Sequence, residues 1–452
     1  MKKGYLSIII IIGLTIMTAT ALADVSVTVY NNNLGVIRET RPLEFEKGLG
    51  RISFIDVPSL IDPTSVGFEL ADKNKSVAIL EQNYAYDLVS PEKIYSKYLD
   101  KNIDLIDKEG NLYSGTLLSY SGGAVTIKGK SGQIQIIQMN QIVNVNFPEL
   151  PEGLITRPTL FWLYNSGFTG KADCHVSYQT SGLNWTAEYV GILSEDEKAL
   201  GLTGWSSIAN NSGATYKDAT LKLIAGDIHR AVPGRGEERY AMKMAAADVA
   251  MPTAFEEKEF FEYHLYTLPR KATVADREIK QIALFEPAST AVTKKYYYEP
   301  DKNAKKVRVN LEFVNSSSTG LGIPLPAGRT RIFKADTDGS MILLGEDRID
   351  HTPKDEEVKL TIGYAFDIAA EEETVDYNRI SDRVEERSFK IKLRNHKSED
   401  ITVIVNKVLY GDWEIIDTNF EFVKEVSNTA RFEIPVKANG DATLKFTVRT
   451  SR

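Results

Sequence analysis

The residues best suited to nucleophilic chemistry in this chain are its single cysteine, Cys174, and the adjacent His175. A cysteine nucleophile needs an imidazole base within hydrogen-bond reach of its sulfur. Residues around this pair alternate between apolar and polar as in a β-strand, and neighbouring strand residues point to opposite faces of a sheet. We therefore predict that Cys174 is a small buried hydrophobe and not a catalytic nucleophile.

Metal binding would require histidines or carboxylates at ligand spacing. No two of the five histidines stand two to four residues apart, which leaves no zinc motif. They are His175, His229, His264, His351 and His396. The segment from Asp336 to Gly339 resembles the start of a calcium loop but lacks the third oxygen ligand and the spaced glutamate. This segment predicts a β-turn, while a metal site assembled from distant residues stays open.

Other catalytic motifs are also missing from the sequence. No Gly-x-Ser-x-Gly elbow occurs, and the glycine- and proline-rich residues 320–328 are followed by no helix that could bind phosphate. Prolines suit an extended edge or crossover element, which is the role we predict for this segment. The run from Tyr296 to Tyr298 predicts a half-buried strand, with sugar or peptide stacking as the alternative. The sequence thus yields no catalytic, cofactor-binding or metal-binding residue, and no cofactor.

Charge and composition narrow the class of partner. The 452 residues carry a net charge of -8, and acidic and basic residues are interspersed without a basic block. A nucleic-acid partner is therefore not expected. Hydrophobic residues make up 42% of the chain, enough for packed cores without disulfides.

The first 23 residues have the pattern of a secretory signal peptide. Lys2 and Lys3 precede an apolar run over residues 6–17, and Ala21-Leu22-Ala23 forms a small-x-small cleavage site. The run is shorter than the ~20 residues needed to span a bilayer, which disfavours the alternative of an uncleaved anchor. No later apolar run is long, so we expect no stable membrane insertion after cleavage and a periplasmic or secreted location.

Processing after Ala23 gives the first testable prediction. The mature exported protein should begin at Asp24, because the basic, apolar and Ala-x-Ala regions follow one another in the order that signal peptidases recognise. Intact-mass measurement of the exported protein tests this, and a full-length product held in the membrane would contradict it.

A period of two dominates the rest of the chain and predicts a mainly β fold. Val25, Val27 and Val29 alternate with polar residues, and three later stretches, at 307–313, 389–394 and 444–449, do the same. A helix is predicted from Pro91 to about Asp100, capped by Ser90. Five short apolar stretches over residues 101–147 predict a small SH3-like or Sm-like barrel. The expected architecture is several β-sandwich-like modules, this inserted barrel, and a C-terminal immunoglobulin-like sandwich.

Composition changes along the chain set the expected boundaries. They are residues 1–23 for the signal peptide, 24–89 for an N-terminal β region, 90–148 for the helix and barrel, 149–229 for a central β region, 230–259 for a flexible insertion, 260–386 for a second β region and 387–452 for the C-terminal sandwich. The insertion is predicted because residues 230–259 lack turn signals and a clear apolar face.

Several motifs together resemble a bacterial envelope family of unknown function that is related to mucoidy inhibitor A. The matching stretches are residues 182–189, 210–213, 219–226, 265–269, 322–328, 338–339, 345–347 and 395–397, followed by Trp413. The resemblance implies a β-rich fold over 24–452. Relatives often carry a coiled coil where this chain has the short helix and the predicted barrel. The family has no established active site, so the resemblance implies no residue roles.

Two functions remain open from the sequence. The first is an exported, non-catalytic binding or scaffold protein whose partner is an envelope protein or polysaccharide. The alternative is an exported hydrolase that acts on envelope polysaccharide or peptide through dispersed residues. We also predict that Trp185, Trp205 and Trp413 are core residues, since each lies in or beside an alternating stretch.

Overall fold

Alternation of apolar and polar residues makes the protein mainly β. The computed structural model describes residues 24–151, 154–226, 255–261 and 263–451. Its strands are β1 (Asp24–Tyr30), β2 (Gly35–Phe45), β3 (Gly48–Ile55), β4 (Ile61–Leu70), β5 (Val77–Ala85), β6 (Asn102–Asp107), β7 (Leu112–Ser121), β8 (Ala124–Lys128), β9 (Ile134–Gln138), β10 (Ile142–Asn146), β11 (Thr159–Ser166), β12 (Gly170–Thr180), β13 (Leu183–Leu193), β14 (Ala199–Asn210), β15 (Tyr216–Ala225), β16 (Glu256–Phe260), β17 (Tyr263–Thr267), β18 (Ala272–Val274), β19 (Glu278–Ala283), β20 (Ala288–Ala291), β21 (Thr293–Tyr298), β22 (Lys306–Val314), β23 (Gly328–Ala335), β24 (Met341–Ile349), β25 (Glu357–Arg379), β26 (Val384–Asn395), β27 (Ile401–Val408), β28 (Asp412–Thr418), β29 (Phe422–Val426), β30 (Thr429–Val436) and β31 (Gly440–Ser451). The described helices are α1 (Pro91–Lys97) and two 3-10 turns, Met139–Gln141 and Ser317–Thr319.

The chain divides into two compact units, each built from separated segments. The first comprises Ile37–Val57 and Asp62–Tyr178 with the residues up to Ser26, and the second comprises Val27–Val36, Pro58–Ile61 and Gln179–Arg452. In the first unit, β12 lies between β2 and β4, and β11 lies between β3 and β5. Aromatic contacts join these two sheets, since the Tyr164 ring of β11 lies 5.0 Å from the Phe45 ring of β2. This part of the unit is a β-sandwich.

The region predicted as a small barrel contains the expected helix and five strands. Ser90 caps α1 by accepting a hydrogen bond from the Lys93 amide, but the helix ends at Lys97, earlier than the predicted Asp100. The strands pair antiparallel in the order β10-β6-β7-β8-β9, around a core that includes Tyr95 and Tyr98. The prediction of a barrel is wrong in its closure, because the edge strands β9 and β10 do not pair and the sheet stays open.

The second unit holds two large sheets. One has the order β19-β14-β13-β23-β24, with β20 also paired to β14, and its β13 and β23 run parallel. The other has nine strands in the order β28-β31-β26-β25-β22-β21-β27-β30-β29. Its core joins residues of both halves of the sheet, including Phe389, Leu444, Val403 and Phe432. The C-terminal strands, predicted as a sandwich beginning at residue 387, are hydrogen-bonded here to earlier strands as well, since β26 pairs with β25 and β27 pairs with β21.

The predicted flexible insertion, 230–259, lies largely outside the described residues. Its last residues, from Glu256 onward, belong to β16, which pairs antiparallel with β17. The first four residues of this strand are charged, so it carries no alternation of polar and apolar residues that would predict a strand.

Two of the three tryptophan predictions are confirmed and one is wrong. Trp185 is fully buried and donates its indole hydrogen bond to the Ile224 carbonyl, and Trp413 is 7% exposed. Trp205 is 40% exposed, because it points to the solvent face of β14 between Glu188 of β13 and Ala283 of β19. The alternation in β14 places its neighbours, not the tryptophan, in the core.

Candidate binding site

The two residues best suited to nucleophilic chemistry, Cys174 and His175, have structural roles. Cys174 is fully buried beside Phe45 and Leu70, and burial raises the pKa of its thiol to about 12. His175 points to the other face of β12, where its Nδ1 lies 2.9 Å from the Thr40 hydroxyl. The prediction that Cys174 is a small buried residue is confirmed, and the two side chains lie on opposite faces of the strand.

The remaining candidate motifs are separate in space. In the described part of the chain, no three His, Cys, Asp or Glu residues form a group that could hold a metal ion, and His229 lies outside that part. Asp336 and Gly339 form the predicted turn between β23 and β24, closed by a hydrogen bond from the Gly339 amide to the Asp336 carbonyl. The 320–328 segment begins with left-handed turns at Gly320 and Gly322 and then leads into β23. Its Pro324 and Pro326 carbonyls accept hydrogen bonds from Tyr266 and Tyr189.

An unusual piece of backbone stands out in β25. Lys306 of β22 pairs with Ala369 of β25, and Arg308, two residues later, pairs with Tyr364. Five residues of β25 therefore span the distance that two residues span in β22. We call residues 365–368 the β25 bulge. A smaller irregularity precedes it, where one extra residue, Ile362, is inserted opposite β22. Bulges of this kind bend a strand and redirect its side chains, and they are frequent beside functional sites.

Two aromatic side chains are exposed at the β25 bulge, Phe366 within it and Tyr364 directly before it. Phe366 is 99% exposed and Tyr364 is 53% exposed, although both occupy a strand near the middle of the nine-stranded sheet. Exposure of a whole phenylalanine side chain forgoes about 1.5–3 kcal/mol of burial free energy. Among the residues that the structure describes, almost nothing covers the Phe366 side chain, so Phe366 is a candidate contact for a partner.

Two clefts lie on opposite faces of the strands around the bulge. The first cleft has a volume of about 160 Å³. Two aromatic residues, Phe366 and Tyr296, line it with aliphatic residues and with four charged ones, Glu197, Asp367, Lys294 and Lys397. The second cleft, about 200 Å³, is lined by Tyr297, Arg308, Lys306, Tyr364 and neighbouring polar residues. Alternation along β21 and β22 explains this division, because Tyr296 and Tyr297 point to opposite faces.

The tyrosine run therefore has the predicted strand position, with deeper burial than expected. Tyr296, Tyr297 and Tyr298 are all buried, so none offers a free ring face for stacking. In the first cleft, the ammonium groups of Lys294 and Lys397 each lie 5.9 Å from the centre of the Tyr296 ring. The floor of this cleft is thus aromatic, and the two lysines are balanced by two carboxylates, Glu197 and Asp367.

Glu197 forms an ion pair with one of these lysines, Lys294. Burial opposes its ionisation, but hydrogen bonds from Lys294 and Lys334 outweigh burial and hold the pKa of Glu197 at about 2. A carboxylate with this pKa is ionised at neutral pH and cannot donate a proton as a general acid. The first cleft is suited to binding and not to acid–base chemistry by this residue.

The Glu197 pairing predicts acid-sensitive stability. Its pKa is lowered from the ordinary 4.5, so its stabilising effect is complete above pH ~5 and is lost as the pH falls towards 2. Glu197→Gln should lower the free energy of unfolding at neutral pH by about 1–2 kcal/mol, after allowance for solvent screening. The difference from the unmodified protein should vanish near pH 2. Urea denaturation at several pH values measures this, with the exposed neighbour Glu195→Gln as control; equal acid profiles for both variants would contradict it.

Sequence reasoning missed the bulge and both clefts. Gly363 was the available signal, because an isolated glycine within a strand often marks a bulge. The lining residues come from strands far apart in sequence, so no local motif records them.

Comparisons with known proteins add no family. A scan against protein-family models finds no match for this chain, and a search of curated proteins finds no match either. The resemblance to the family related to mucoidy inhibitor A therefore stays a hypothesis. Among the described residues, no helix has both the length and the apolar character needed to cross a bilayer.

Proposed function

We infer that this chain is an exported envelope protein with a non-catalytic binding role, and that its partner contacts the β25 bulge. The observation that carries this proposal is the fully exposed Phe366 beside the first cleft. A strand that bulges to present an aromatic side chain sacrifices stability, and such sacrifices are characteristic of binding surfaces. The resemblance to an envelope family and the predicted signal peptide support the location.

The chemistry of the first cleft agrees with binding. Its aliphatic and aromatic floor can exclude water from a bound group, while Lys294 and Lys397 supply charged donors. Two lysines hold Glu197 in its ionised form, and the ion pair between Glu197 and Lys294 fixes the position of Lys294. These features favour the binding role over the hydrolase alternative at this site.

Site-specific photo-crosslinking tests the proposal. A photoreactive phenylalanine analogue at position 366 should cross-link a component of envelope extract, and the same analogue at Phe261 should not. Phe261 is a matched control because it is also a largely exposed phenylalanine, at 82%. The same adduct should disappear when Lys397→Ala is combined with the probe at 366. Equal labelling at positions 366 and 261 would overturn the proposal. The proposal would also fail if the protein hydrolysed envelope polysaccharide or peptide and Phe366→Ala abolished that activity.

A further inference from the structure

The second cleft carries an excess of positive charge on an acidic protein. Lys302, Lys306 and Arg308 line it with a single carboxylate, Glu299, so the lining has a net charge of +2 while the chain has -8. A cleft lined by one sign of charge focuses the field and raises the local concentration of oppositely charged ligands. The second cleft therefore favours an anion.

The carboxylate in this cleft is already paired. Glu299 accepts hydrogen bonds from Lys302 at 2.9 Å and from the Arg308 Nη2 at 2.8 Å. Within the described residues, Lys306 Nζ has no carboxylate oxygen inside 4.0 Å and instead lies 5.3 Å from the centre of the Tyr364 ring. Its ammonium group is thus the cation most available to a ligand.

The turn that presents these cations is held in place. The Asn303 side-chain oxygen accepts hydrogen bonds from the Lys305 and Lys306 amides, and the Ala304 carbonyl accepts one from the buried Tyr298 hydroxyl. Asp301 is fixed by Lys407, which donates to it at 2.9 Å. A preorganised turn lowers the entropic cost of binding. These hydrogen bonds favour a preformed binding site over a set of solvated surface charges.

Tyr364 adds an apolar surface next to the cations. Its half-exposed ring is amphipathic and can pack against the C–H face of a flat ligand. The Lys306 ammonium, which lies over the same ring, offers a charge-assisted hydrogen bond. A group that carries both an apolar face and an attached carboxylate matches this pairing. The volume, about 200 Å³, accommodates a unit of monosaccharide size and no bulky secondary structure.

From this combination we propose that the second cleft binds a carboxylated sugar unit of an acidic polysaccharide. The ligand carboxylate contacts Lys306 and Arg308, and the sugar ring packs on Tyr364. A free phosphate would use the cations but gain nothing from the ring, and an acidic peptide would lack the flat C–H face. The proposal does not rest on the function of the first cleft, which lies on the opposite face of the same strands.

Isothermal titration with oligogalacturonate and a neutral oligosaccharide of equal length tests the proposal. The acidic oligosaccharide should bind and the neutral one should not. Lys306→Gln should weaken binding about tenfold or more, as expected for loss of a charge-assisted hydrogen bond. Tyr364→Ala should weaken it several-fold. Lys305→Gln is the matched control, because it removes the same charge from the neighbouring residue, which does not line the cleft, and should change the affinity less than twofold.

Several results would overturn this proposal. Equal weakening by Lys305→Gln and Lys306→Gln would indicate a general charge effect. Full competition by inorganic phosphate with no effect of Tyr364→Ala would indicate a simple anion site. Tighter binding of polyglutamate than of oligogalacturonate would indicate an acidic peptide, and absence of binding by all probes would remove the site. None of these outcomes changes the cross-linking expected at Phe366, so the two proposals fail separately.

Discussion

Replacing Trp413 with alanine should lower the free energy of unfolding by about 3–5 kcal/mol, the range for deletion of a large buried aromatic side chain. The tryptophan belongs to the core of the nine-stranded sheet and is 7% exposed. Its indole donates a 2.9 Å hydrogen bond to the Ser427 carbonyl, and the Lys424 ammonium lies 4.4 Å from the centre of its ring. Alanine removes the packing and also leaves that carbonyl without its donor.

Trp205→Ala provides a matched control within the same unit. Trp205 is 40% exposed on the solvent face of β14, so its replacement should cost about 1 kcal/mol or less. Urea denaturation followed by circular dichroism measures both variants. Near-normal stability of Trp413→Ala, together with loss of binding to an envelope component, would reassign Trp413 from the core to a binding surface.

Replacing Gly345 with alanine should lower the free energy of unfolding by about 1–3 kcal/mol through overpacking. A Cβ atom built on Gly345 would lie 2.2 Å from the Ile362 carbonyl oxygen and 2.9 Å from its carbonyl carbon. Both are backbone atoms at the small irregularity of β25, so they cannot move aside by a rotamer change. The missing side chain in β24 is what allows β25 to adopt its irregular course beside the first cleft.

Gly201→Ala is the corresponding control for Gly345. Gly201 also lies within a strand, β14, but an added Cβ would meet only the Ile192 carbonyl oxygen at an ordinary 3.7 Å. Its replacement should leave stability unchanged or slightly raise it, since alanine restricts the unfolded chain. The difference between the two melting temperatures is the measurement, and similar values for both would show that β25 tolerates displacement at Ile362.

Period-two patterns predicted the strands well because each strand buries one face. Val25, Val27 and Val29 lie in β1, all buried, and the stretches at 307–313, 389–394 and 444–449 form β22, β26 and β31. Alternation cannot report which strands pair or how a sheet ends. The open edges β9 and β10 illustrate this, since closure of the predicted barrel depends on sheet curvature and not on local sequence.

The candidate site escaped prediction for a related reason. Apolar residues occupy every second position from Val358 to Ala370, which predicts a regular strand with Phe366 on the buried face. Extra residues inserted at Ile362 and in the β25 bulge change the register, so Tyr364 and Phe366 become exposed while Ile368 returns to the core. Register depends on the paired strands, here β22 and β26, and a single chain segment does not encode it.

The segmented composition of the second unit has a consequence for biogenesis. Its β1 residues pair with β15, which begins at Tyr216, whereas β1 itself ends at Tyr30. At roughly 5–20 residues per second, β1 waits on the order of ten to forty seconds during synthesis before that partner exists. Until then β1 can pair on one side only, with β2, which follows it directly in the chain. Folding of this unit is thereby coupled to completion of much of the polypeptide.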